Sequence, residues 1–75
     1  MEKVILKVLQ AVRPDINFES VEGLISDEIL DSFDIVWIIA ELNKQCNINI
    51  EVGDITYENF DTLKDIARLV ASLKS

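Results

Sequence analysis

Read only as apolar and polar positions, the chain has three helical stretches joined by two that lack a helical period. Val4, Ile5, Val8, Leu9 and Val12 recur at helical spacing and form one apolar stripe. Pro14 stops that pattern near Val12 or Arg13, because the residue before a proline avoids the helical region. At the other end, Leu63, Ile66, Ala67, Val70 and Leu73 give a second clean stripe. Thr62-x-x-Asp65 reads as its capping-box start, and Lys74 lies near its C-terminal end, where positive charge suits the helix dipole.

The middle stretch, Ile29 to Leu42, is apolar nearly all the way round. Its length predicts a helix, since buried strands rarely exceed about eight residues. Asp31 or Ser32 is the expected N-cap, and Asp31 and Asp34 set negative charge on the positive end of the dipole. On a wheel of about 100° per residue, Ile35, Ile38, Ile39, Leu42 and Cys46 gather on one side as a core stripe. Phe33, Val36, Trp37 and Ala40 fall on the other side or its flanks. A chain this small cannot bury a helix on every face, so the second apolar face is expected to meet a partner.

The segments between are less regular. From Pro14 to Leu30 there is no sustained period: Ile16, Phe18, Val21, Leu24, Ile25 and Ile29 are scattered among acids, with Gly23 as a turn. A structureless loop of this length is unusual, so its apolar residues are expected to pack across the end of the bundle. Asn47 to Val52 alternates apolar and polar like a strand. With no partner strand it is expected as an extended connection, Ile48 and Ile50 pointing inward. Gly53 marks a turn, and Asp54 to Phe60 reads as a short helical turn capped by Asp54 or Thr56. The fold class is therefore all-α: a small four-helix bundle, three main helices and one short, with a long first loop.

Seventy-five residues predict a single domain spanning 1–75. The formal net charge is −7, and it is unevenly placed. Between Pro14 and Asn43 there is no Lys or Arg, while Asp15, Glu19, Glu22, Asp27, Glu28, Asp31, Asp34 and Glu41 lie there. Such a field repels nucleic acid and anionic membranes and steers basic protein partners. The chain has no histidine, which removes the commonest general base and metal ligand. The lone Cys46 falls on the core stripe and reads as a small buried hydrophobe. No apolar run approaches the roughly 20 residues of a membrane span. No signal peptide is visible, and the expected compartment is the cytoplasm.

The serine between two acids, Asp31-Ser32-Phe33-Asp34, at the head of the central helix resembles the phosphopantetheine attachment site of the acyl carrier protein family. The form Ile29-Leu30-Asp31-Ser32-Phe33 looks most like the carriers with Phe after the serine, which include D-alanyl carrier proteins. The resemblance covers essentially the whole chain: the long first loop, the extended Ile48-x-Ile50, the Asp54-Ile55-Thr56-x-Glu58-Asn59-Phe60 turn and the final helix. Two departures from the fatty-acid carriers are visible. Leu30 and Glu28 stand where those carriers often have a small residue and a glycine, and Trp37, Asn43 and Lys44 stand at positions commonly acidic there. They point to a specialised carrier serving aminoacyl transfer, a polyketide or peptide pathway, or a dedicated lipid.

The resemblance implies that a phosphopantetheinyl transferase moves phosphopantetheine from coenzyme A to the Ser32 hydroxyl. The arm's thiol would then carry an acyl or aminoacyl group as a thioester between a loading ligase and a downstream acyltransferase or synthase. The chain would be a delivered substrate rather than an enzyme, and a monomer. Asp31, Asp34 and Glu41 are the expected acidic contacts for partners, and Phe33, Val36, Trp37 and Ala40 the apolar strip, with Tyr57 on the short helix as a further contact. The competing class is a small acidic helical interaction module that uses the Trp37 strip and carries no group.

Overall fold

The computed structural model describes residues 2–74. Among these residues there are four α-helices and no strand: α1 Glu2–Val12, α2 Ser32–Cys46, α3 Tyr57–Phe60 and α4 Leu63–Lys74, with a 3₁₀ turn at Val52–Asp54. Helix α1 packs against both α2 and α4, and α3 leans on α4. The shared core holds Ile5 and Leu9 of α1, Ile38 and Leu42 of α2, Phe60 of α3 and Ile66 and Val70 of α4, all fully buried.

Local chemistry sets the ends of α2. Asp31 is the N-cap: its Oδ1 accepts from the Asp34 N–H at 2.9 Å. Asp34 answers as the third helical residue, its Oδ2 accepting from the Asp31 N–H at 3.3 Å, so the capping box is closed at both sides. At the other end Asn47 takes a left-handed conformation, φ 55°, and its N–H bonds back to Asn43. The Asn43 side chain then accepts from the Ile50 N–H at 2.8 Å, which steers the outgoing chain so that Ile50 enters the core. The expectation for Ile48 and Ile50 holds: Ile50 is buried and Ile48 packs against the core as a half-buried residue.

The long first loop does cross the bundle end. Phe18, Leu24 and Leu30 are buried, and Ile16, Val21, Ile25 and Ile29 pack against them. Asp61, between α3 and α4, holds the loop. Its Oδ1 accepts from the Ile25 and Ser26 N–H groups at 3.0 and 2.9 Å, its Oδ2 accepts from the Ser26 hydroxyl at 2.8 Å, and its carbonyl accepts from the Leu24 N–H at 2.9 Å. The loop turns at Gly23, φ +76°, where a Cβ would run into the Asp27 carboxylate. Five residues later Glu28 also sits in the left-handed region, φ 57°, with no such excuse of a missing side chain.

Some expectations need correction. Val4 was expected in the α1 core stripe but is exposed, because the buried arc centres on Ile5, Val8 and Leu9. Leu69, outside the expected α4 stripe, is buried. The short helical turn expected over 54–60 is two elements. Asp54 ends the 3₁₀ turn, accepting from the Glu51 N–H at 3.0 Å, while Thr56 separately caps α3 through Asn59 at 3.3 Å. Of the capping box expected at Thr62-x-x-Asp65, one half forms: the Thr62 hydroxyl accepts from the Asp65 N–H at 3.0 Å, while the Asp65 carboxylate turns to Arg68 at 2.8 Å.

Candidate functional site

Because Asp31 supplies the cap, Ser32 is left as the first helical residue of α2. It is exposed, and among the described residues its hydroxyl has no hydrogen-bond partner. The N–H groups of Ser32 and Phe33 have no backbone acceptor among those residues either, as the first turn of a helix requires. A nucleophilic oxygen therefore stands beside two free donors at the positive end of a four-turn helix. That is a favourable seat for a phosphate ester.

The acids around Ser32 are not equivalent. Asp31 is exposed, and among the described residues its carboxylate is engaged only in the cap. Asp34 is turned inward, with its side chain 14% exposed, and its Oδ2 lies 2.7 Å from Arg13 Nη1. The expectation of a docking acid at Asp34 thus meets a carboxylate already bound within the chain. Arg13 also grips Asp15, with Nε and Nη2 at 3.0 and 2.9 Å, and reaches the Ile29 carbonyl at 3.5 Å. One guanidinium thereby joins the end of α1, both ends of the first loop and the first turn of α2. The Asp15 carboxylate first, and Asp34 second, hold the guanidinium more firmly protonated than usual. In return Arg13 holds the Asp15 carboxyl below its ordinary value. Sequence reasoning missed Arg13. Its signal was the last cation before a long run without one.

On the outer face of α2, Phe33 is 80% exposed, Val36 65% and Trp37 62%. Ala40 is exposed beside them, and Glu41 is half-buried at the edge toward α1. Tyr57, the first residue of α3, is also exposed. The sequence-predicted strip is thus open to solvent, while Ile38, Leu42 and Cys46 of the opposite stripe are buried. Among the described residues no group of His, Cys, Asp or Glu is arranged to hold a metal ion, and no helix is long and apolar enough to cross a membrane. Compared with known protein families and with curated proteins, the sequence matches no family model and no curated relative.

Proposed function

We propose that the protein is a carrier in which Ser32 receives phosphopantetheine from coenzyme A and the arm conveys an acyl or aminoacyl group between partner enzymes. One observation supports this reading: the cap is Asp31, so the Ser32 hydroxyl is exposed at a helix start and, among the described residues, uncommitted. A serine kept there as a cap would spend its oxygen on the backbone. The residues present fit the group. The Ser32 and Phe33 N–H groups would hold a phosphodiester on Ser32, and Arg13 offsets the charge of Asp34 that would otherwise repel it. When bound, the arm supplies a thiol for thioester chemistry.

The chain itself performs no bond-making in this account. It presents the hydroxyl, keeps the helix start rigid through the Asp31–Asp34 box, and offers Phe33, Val36, Trp37 and Ala40 to the enzymes that load and unload the arm. A transferase and a loading ligase would find the site by charge and grip it by apolar contact. The reading places the protein in the cytoplasm as a specialised carrier. Its test is incubation with coenzyme A and a broad-specificity phosphopantetheinyl transferase, followed by intact mass. The wild type should gain one phosphopantetheine and Ser32→Ala none.

The exposure of Phe33, Val36 and Trp37 also favours a second reading, an interaction module that carries no group. It predicts no mass change in that experiment.

A further inference from the structure

Two residues beyond Ser32, on the same first turn of α2, lies the carboxylate of Asp34, with the two Cα atoms roughly 5 Å apart by helix geometry. That charge opposes the chemistry proposed for the serine. Coenzyme A arrives as an anion, its pantetheine-bearing phosphorus held in a pyrophosphate. In the transfer, Ser32 Oγ bonds to that phosphorus while the pyrophosphate P–O bond breaks. Adenosine bisphosphate leaves, and the hydroxyl proton passes to a base of the transferase or to water. Donor, product and leaving group are all negative, and a free carboxylate beside their path repels each of them.

The fold brings one cation to this point from another element. Arg13 follows the last residue of α1, and its N–H still bonds to the Leu9 carbonyl at 2.9 Å. Asp15 grips the guanidinium through Nε and Nη2, at 3.0 and 2.9 Å, which leaves Nη1 to meet Asp34 Oδ2 at 2.7 Å. The Asp34 side chain is thereby held 14% exposed, although its neighbours Phe33 and Asp31 are open to solvent. Among the described residues no other cation pairs with an acid of the first loop or of α2. The cap does not require Arg13, since Asp31 and Asp34 close the box with their own groups. What Arg13 adds at the helix head is a compensating charge and a fixed, inward carboxylate.

We infer that Arg13 is a positioning residue for transfer to Ser32: it pins Asp34 inward and cancels its charge, so that an anionic donor can approach the hydroxyl. This role presupposes the carrier reading and adds to it a requirement that lies outside α2. It also removes Asp34 from the acids that a basic partner can grip, leaving Asp31 as the exposed acid next to the serine.

The test measures kcat/KM for modification of the protein by a broad-specificity phosphopantetheinyl transferase with coenzyme A, read by intact mass at low and high salt. Arg13→Ala should lose about tenfold at low salt, and the loss should narrow as salt is raised. Arg13→Lys, which keeps the charge, should recover most of the rate. Adding Asp34→Asn to Arg13→Ala should do the same, because the amide oxygen can still accept from the Asp31 N–H while the repelling charge is gone. If Arg13→Ala melts below the assay temperature, Arg13→Gln takes its place and should show the same salt-sensitive loss. Equal rates for wild type and Arg13→Ala would overturn the proposal. So would a faster Arg13→Ala, in which a freed Asp34 recruits the transferase, or a loss that neither Arg13→Lys nor Asp34→Asn relieves, which makes Arg13 a loop anchor only. A wild type that gains no mass contradicts the carrier reading and takes this role with it. A wild type that is modified while Arg13→Ala keeps pace removes the role of Arg13 alone.

Discussion

Arg13 Nη1 lies 2.7 Å from Asp34 Oδ2, and that contact fastens the end of α1 to the first turn of α2. The same carboxylate accepts from the Asp31 N–H, so the ion pair and the helix cap are one assembly. Breaking it acts on the geometry around Ser32. Arg13→Ala should fold but melt at a lower temperature than the wild type, and the gap should narrow as salt is raised, because salt screens a partly exposed pair. Melting curves at low and high ionic strength check this. A gap that does not respond to salt would mean that Arg13 acts through packing of its stem instead.

Asp31 and Ser32 should separate cleanly by mutation. Asp31→Ala removes the cap and should cost about 1 kcal/mol of stability. Ser32→Ala removes a hydroxyl without a partner among the described residues and should lie within about 0.5 kcal/mol of the wild type. Urea melts of the two variants measure both. If Ser32→Ala proves as costly as Asp31→Ala, the serine has a structural role that the capping box does not reveal.

Asp61 is the anchor of the long loop. Its carboxyl is held below the ordinary value of 3.8, first by the Ser26 N–H, then against an opposing effect of burial, with the Ser26 hydroxyl and the Ile25 N–H adding to the lowering. A carboxyl with a lowered native pKa stabilises the fold fully above its unfolded value, and that stability is lost as pH falls through the native value. Asp61→Asn should therefore cost about 1–2 kcal/mol at neutral pH. Its deficit relative to the wild type should shrink as the pH drops below 3.8. Denaturant melts across that range decide it.

Glu28 holds a left-handed backbone, φ 57°. For a residue with a Cβ that conformation costs about 1–2 kcal/mol, partly offset by the greater entropy that glycine loses on folding. Glu28→Gly should stabilise the protein by about 0.5–1 kcal/mol. Glu28→Ala, which keeps the Cβ, should bring no such gain. Thermal melts of the pair tell strain from charge.

The helices were legible because each needs one stripe, and stripes are local patterns: Ile5, Val8 and Leu9, or Ile66, Ala67 and Val70, announce themselves at three- and four-residue spacing. The open face of α2 was legible too, since a helix apolar all round in a short chain has one face too many. The sequence did not disclose contacts between distant residues. Ser26 and Asp61 are 35 positions apart, and Arg13 and Asp34 are 21. Nothing in local spacing pairs them. Val4 and Leu69 were misjudged for a related reason: the buried arc of a helix is set by its neighbours, and α1 and α4 each pack against more than one element. The choice between Asp31 and Ser32 as cap also needed coordinates, because both are good cap residues and only backbone geometry distinguishes them.

The central claim is that the uncommitted hydroxyl at the head of α2 bears a prosthetic arm. Peptide mass spectrometry of the protein purified from its own host tests it most directly. The account predicts phosphopantetheine, free or acylated, on the peptide containing Ser32, and its loss in Ser32→Ala. A wild-type protein recovered wholly unmodified from cells with an active transferase would contradict it.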